Sequence, residues 1–313
     1  MSAPGIHFDM PEADYHADPC PAPSLSSSVA RVLIEQSPAH ARAMHPRLCP
    51  DAKSPESDRL ALGAVVHALV LGRGAKFHVV GATDYKTKAA REERDGAIAM
   101  GWTPIKAADM AEAERIAKSV DHHIASDLDV FDTFTAGASE AVLIWREADA
   151  WCRAMVDKLF IGDRDAVIYD IKTTDQSAHP MGLTRKVLSM GYDLRAAFYM
   201  RGLARLRPDL AGRIRFRWVF VETSAPYAVT VAELDGAGLT IGDKKAATAI
   251  ALWQRCVRDD AWPTWPIGVH RLESPPWAEQ QWLARETDDP TFAGLMPVIV
   301  APEPPARRME FAP

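Results

Sequence analysis

The stretch that decides the fold reads Ala166-Val167-Ile168-Tyr169-Asp170-Ile171-Lys172-Thr173-Thr174. Its four apolar residues followed by an acid and a lysine predict a strand whose end carries charge. Alternate side chains on a strand share a face, so Asp170 and Lys172 point the same way. Burying either charge is unfavourable unless it is paired or bound to a metal. The preceding run, residues 151–160, reads as a second strand with Asp157 near its end. A hairpin through Gly162 and Asp163 brings Asp157 and Asp170 to the same end of a sheet. Two carboxylates that close repel each other, and a divalent cation relieves the repulsion. Oxygen-rich ligation favours Mg²⁺ or Mn²⁺ over zinc.

Further back, residues 140–146 read as a third strand, with a short polar turn at 147–150. Its first residue, Glu140, is placed to join the two aspartates as a third acid. Upstream again, residues 57–71 read as a helix carrying Gly63-x-x-x-His67. Positions i and i+4 share a helix face, and Gly63 would let that face approach the sheet closely. One imidazole is tolerated in a hard-metal site, especially with Mn²⁺.

Around this centre the chain divides into an extended Pro-, Asp- and His-rich arm (1–24), a core (25–270) and a Pro- and Trp-rich tail (271–313). Within the core, a helical portion (25–135) precedes a sheet portion (139–260). A helix at 26–44 is capped by Ser26 and divided by Pro38. A polar link at 45–56 follows it. Residues 86–100 and 107–126 read as surface helices with 102–105 between them. Beyond the meander come a helix at 192–206, strands at 214–222 and 227–234, and a helix at 239–258. This order indicates an α/β or α+β fold with a central sheet covered by helices on both faces.

The 313 residues are 48% apolar and 25% charged, ordinary for a globular protein and unlike a disordered or fibrous one. Apolar runs such as residues 61–71 are too short to span a bilayer. The first 28 residues lack the basic-then-apolar pattern of a secretory signal, so the expected location is the cytoplasm. Cys20, Cys49, Cys152 and Cys256 form no C-x-x-C pair and read as free thiols. The net charge of −6 counts mildly against a nucleic-acid binder, although a basic groove can coexist with an acidic exterior.

Together, Gly63-x-x-x-His67, Glu140, Asp157, Asp170-x-Lys172 and a later helix with Tyr199 resemble the ordered motifs of RecB-type PD-(D/E)XK nucleases. The segment Ser37-Pro38-Ala39-His40, and Tyr192-Asp193 leading into Ala196-Ala197-Phe198-Tyr199, resemble the RecE (exonuclease VIII) branch. The likeness covers roughly residues 5–270. It implies a Mg²⁺- or Mn²⁺-dependent hydrolase of phosphodiester bonds. Asp157, Asp170, the Ile171 carbonyl and His67 would hold the ion, with Lys172 at the reacting phosphate and Glu140 as an additional acid. It implies phosphate contacts for Thr173, Thr174, Arg195 and Tyr199. Arg195 is a departure, since the family usually has glutamine four residues before the tyrosine. RecE-like enzymes degrade linear duplex DNA from 5′ ends as rings, which implies a homo-oligomer, DNA ends as substrate and an annealing partner in phage-type recombination.

Each residue also has a plain reading. Asp170 and Lys172 can form a surface ion pair, and Asp157 can begin a turn. His67 and Tyr199 can be core residues, and Glu140 can be solvated. Lys86, Lys88, Arg91 and Arg94 can face solvent on their helix rather than DNA. Two other functions fit the same motifs: a related endonuclease, and a DNA-end-binding or scaffold protein that keeps the fold without catalysis.

Overall fold

The computed structural model describes residues 1–50, 58–289 and 291. Two compact units follow one another, residues 1–265 and residues 266–313. The first begins with β1 (Gly5–His7), α1 (Glu12–His16), α2 (Ser27–Glu35), α3 (Pro38–Ala43) and α4 (Asp58–Leu71). Ser26 caps α2 by accepting from the Val29 N–H. Pro38, with no N–H to lose, opens α3 behind the Ser37 cap. A small parallel pair follows, β2 (Phe77–Val80) and β3 (Thr103–Lys106), joined through α5 (Lys88–Ala99). Then come α6 (Ala107–Ala125) and α7 (Leu128–Ala136).

The main sheet is built from β1, β4 (Ala138–Glu147), β5 (Ala150–Ile161), β6 (Ala166–Thr174), β7 (Ile214–Glu222) and β8 (Val229–Ala232), in that spatial order. The β4–β5–β6 meander is antiparallel. β6 and β7 run parallel, and the crossover between them carries α8 (Pro180–Ser189) and α9 (Tyr192–Leu206). α10 (Gly236–Asp259) closes the unit. This is a mixed α/β sheet flanked by helices, the fold class the sequence predicts.

Alternation along the strands sorts the apolar side chains into two faces. Ala166 and Ile168 of β6 join Leu143, Trp145, Val156 and Trp218 in the larger core, under α2, α9 and α10. Val167, Tyr169 and Ile171 face the other way, onto Val65 and Val66 of α4 and Ile116 and Val120 of α6. α9 and α10 press together at Gly242, where a Cβ would overlap the Asp193 carbonyl oxygen.

The structure differs from the sequence reading at the N-terminus. Residues 1–24, expected as an extended arm, supply an edge strand, with Gly5 opposite Ile144. Tyr15 lies buried against Val142 and Ile144. The following loop is held by a buried polar network. Asp18 accepts from the Ser24 hydroxyl (2.7 Å) and N–H (2.9 Å), and lies 3.3 Å from His45 Nε2 and 3.2 Å from Arg153 Nη1. Burial opposes the charge on Asp18, but His45, Arg153 and Ser24 outweigh it and hold the carboxyl at about 2. Neither β2 nor α7 nor α8 is legible in the sequence pattern.

The second unit holds α11 (Pro276–Asp288) in what the sequence suggests is a loose tail. The expected link at 51–56 and the tail from 292 onward lie outside the described residues. Cys20, Cys49, Cys152 and Cys256 are free thiols. Among the described residues, no helix is long and apolar enough to cross a membrane.

Candidate active site

β5 and β6 pair only where residues 158–161 face residues 166–169. The next facing positions along this register are Asp157 and Asp170, so the ladder ends where the two acids stand. β6 continues beside β7 as far as Thr174. The Ile171 N–H, left without a strand partner on that side, donates to Asp157 Oδ2 at 2.7 Å. A gap between the strands is thereby lined by two carboxylates and held open by a side chain.

α4 delivers His67 to this gap. A Cβ on Gly63 would meet Thr173 Oγ1 at 3.3 Å, so the bare glycine sets how closely the helix lies on β6. One turn on, His67 Nε2 stands 3.1 Å from Asp157 Oδ2. Burial disfavours the imidazolium, but Asp157 overrides it and raises the His67 pKa above its ordinary value. Burial likewise opposes the Asp157 carboxylate, yet His67, Lys172 and the Ile171 N–H hold its pKa well below the usual range.

Asp170 is 1% exposed and faces α9. Lys172 Nζ lies 2.5 Å from Asp170 Oδ2 and 3.2 Å from the Ile171 carbonyl oxygen, to which it donates. Arg195 Nη1 lies 3.4 Å from Asp170 Oδ1. Both cations also sit over the Tyr192 ring, at 5.6 Å and 5.9 Å from its centroid. Oδ2 accepts no aligned hydrogen bond despite its burial.

Glu140 stands opposite Asp157, between the pairs Ser139–Lys158 and Ala141–Val156. Its φ of 53° is uncommon for a residue with a side chain, and such strain persists only where the surroundings enforce it. Arg73 Nε lies 3.7 Å from Glu140 Oε2, and Arg73 also donates to the Phe8 carbonyl. Burial raises the Glu140 pKa, with His67 and Arg73 opposing it.

The expected phosphate contacts fare differently. Thr173 turns toward Gly63 of α4. Thr174 is 1% exposed and its hydroxyl is occupied by Gln176 and by Lys186 of α8. Tyr199 is a buried core tyrosine packed on Phe216, with ring centroids 6.2 Å apart. Neither Thr174 nor Tyr199 offers a surface to a phosphate, because α8 and α9 pack over that face. Arg195 is turned onto Asp170. On α5 Lys88 pairs with Glu92 and Arg94 with Asp95, and just before it Lys86 pairs with Asp84, so those charges have local partners. Arg73, beside Glu140, had no signal in the sequence. Tyr192, noted there only as part of the Tyr192-Asp193 motif, lies beside both Lys172 and Arg195.

Two carboxylates, a carbonyl oxygen and one imidazole form a hard donor set, and one of its oxygens, Asp170 Oδ2, is paired with Lys172 without an aligned hydrogen bond. This chemistry fits Mg²⁺ or Mn²⁺. Among the described residues, no three His, Cys, Asp or Glu side chains are gathered into a ready cage. Lys172 and Arg195 stand at Asp170 instead.

A family model described as a PDDEXK-like domain of unknown function (DUF3799) matches residues 26–266. The chain belongs to this family. Among solved structures, one described as "Putative exonuclease" from Eubacterium rectale matches with a TM-score of 0.54 at 12% identity, covering 88% of this chain and 98% of that one. At that identity the likeness speaks for the PDDEXK-like fold alone. SSO0001 (TM-score 0.25, 12% identity, 62% and 85% covered) and VC1899 from Vibrio cholerae (0.21, 13%, 81% and 57%) match too loosely to carry an argument. A search of curated proteins finds no match. The PDDEXK-like fold makes a nuclease-type hydrolase the natural chemistry, and domains of this kind are generally dependent on a divalent metal.

Proposed function

We propose that this chain is a metal-dependent deoxyribonuclease that acts as an exonuclease on linear duplex DNA, from 5′ toward 3′. The observation that carries the reading is the meeting of Asp157, Asp170 and Lys172 where β5 and β6 part, with His67 against Asp157. Asp157, Asp170, the Ile171 carbonyl and His67 would hold the ion. Once bound, a divalent ion lowers the pKa of water and offsets charge on a reacting phosphate. Asp157 is already ionised at neutral pH, so no proton need leave it before binding. Lys172, on a flexible stem, moves from Asp170 to the phosphate, where its ammonium steadies the developing negative charge. Glu140, held by Arg73, adds negative field beside Asp157 and supports cation affinity.

By its resemblance to the RecE branch, the substrate is a DNA end and the working form is a homo-oligomeric ring. Such a ring would concentrate basic groups in a channel despite the net charge of −6. A single-strand annealing protein is the natural partner, in phage-type homologous recombination within the cytoplasm. Digestion of end-labelled linear and closed circular duplex DNA with Mg²⁺ tests this. Loss of linear DNA alone, with the 5′ label released first, is expected. Cutting of the circle would make the protein an endonuclease.

One observation favours a second reading, a DNA-end-binding protein without catalysis. Both oxygens of Asp170 already carry a cation, Lys172 on one and Arg195 on the other. Unchanged thermal stability on adding Mg²⁺ or Mn²⁺, with no cleavage, would bring this reading forward.

A further inference from the structure

We infer that Arg195 limits this site to a single divalent ion by holding the oxygen of Asp170 that a second ion would need. The inference rests on the nuclease reading above. A carboxylate that serves two ions must offer each one an oxygen. At Asp170 the two oxygens are taken by cations of different character. Oδ2 meets Lys172, which is carried on a four-carbon stem by the same strand and is also bonded to the Ile171 carbonyl. An arriving ion can take both of those oxygens by displacing one ammonium. Oδ1 meets the Arg195 guanidinium, delivered from α9. A guanidinium does not lose its charge by deprotonation in a protein, and this one is carried to Oδ1 by a separate helix, with a single Nη1 contact of 3.4 Å.

The Tyr192 ring lies near both cations, but only Arg195 shares its helix, three residues further along α9. The opposite flank is closed in the same way. Glu140 would be the acid to share a second ion with Asp157, and Arg73, itself tied to the Phe8 carbonyl, lies 3.7 Å from it. The pair Asp157 and Asp170 is thus bounded by an arginine on each side. Between them, Asp157, Asp170, the Ile171 carbonyl and His67 would hold one ion. The fixed charge of Arg195 then stands where the second ion's charge would otherwise be.

Counting bound Mn²⁺ tests this, by calorimetric titration of the full chain and by electron paramagnetic resonance of free ion. The wild type should bind one ion per chain and Arg195→Gln two. Two ions in the wild type would overturn the inference, as would Arg195→Gln remaining at one while its melting shows it folded. The wild-type count stands by itself should the glutamine variant fail to fold. No bound ion in the wild type would instead bring down the nuclease reading on which the inference rests.

Discussion

His67 Nε2 and Asp157 Oδ2 stand 3.1 Å apart, joining a helix from one face of the sheet to the strand end where the acids gather. The pair is ionic whenever the imidazole is protonated, the form that Asp157 favours by raising the His67 pKa. Both side chains would serve as ligands to an ion, and a protonated imidazole would first have to give up its proton. Divalent cations and protons should therefore compete for the site.

That competition gives the first expectation. Saturating Mn²⁺ should raise the melting temperature of the wild type by several degrees. An ion at a hundred times its dissociation constant adds about 2.7 kcal/mol to stability. Asp157→Asn should lose the increase. His67→Ala should weaken it, and most visibly at high pH, where the wild-type imidazole is free to bind. Scanning fluorimetry against Mn²⁺ concentration at pH 6 and pH 8 reads all three; an undiminished shift in Asp157→Asn would remove that residue from the metal site.

Acid stability should depend on Asp18. Its folded pKa of about 2 lies below the roughly 3.9 of an unfolded aspartate. The stability it supplies is present above pH 4 and is lost as the pH falls toward 2. The two-unit difference corresponds to about 2–3 kcal/mol. Asp18→Asn should be destabilised by about that amount at pH 7, with a flatter stability profile between pH 4 and pH 2. Urea melts across that range measure it, and parallel profiles for wild type and variant would refute the role.

Gly242→Ala should destabilise the fold by about 1–3 kcal/mol through overpacking, although alanine is the better helix former by about 1 kcal/mol. A methyl there drives into the Asp193 carbonyl of α9, and backbone cannot swing aside as a side chain could. Because α9 also carries Arg195 and Tyr192, the displacement should reach the site. A melting temperature equal to or above that of the wild type would show that the two helices are free to part.

How much of this was readable in advance follows physical lines. The β4–β5–β6 meander was legible because apolar runs and polar turns are local signals, as was the placing of Asp157, Asp170 and Lys172 at one sheet end. Gly63 and His67 were legible from helical spacing. β1 was not, since three residues among prolines carry no periodicity and depend on pairing with residues 142–144, far along the chain. The Asp18, Ser24 and His45 network is completed by Arg153, from an equally distant position. Tyr199, expected as a phosphate contact, is buried, and Ala196, Tyr199 and Leu203 mark the buried stripe of α9 by their spacing of three and four. Arg73 and Tyr192 matter only through what the fold sets beside them.

Where β5 and β6 part, phosphodiester cleavage should depend on Lys172. The most direct test is release of acid-soluble nucleotides from linear duplex DNA in Mg²⁺, comparing wild type with Lys172→Ala. Removing a group that stabilises transition-state charge typically lowers the rate by about 10²–10³. A fall of at least that size, in a variant whose circular dichroism matches the wild type, is the expected result. Cleavage retained within a few-fold would remove Lys172 from the reaction.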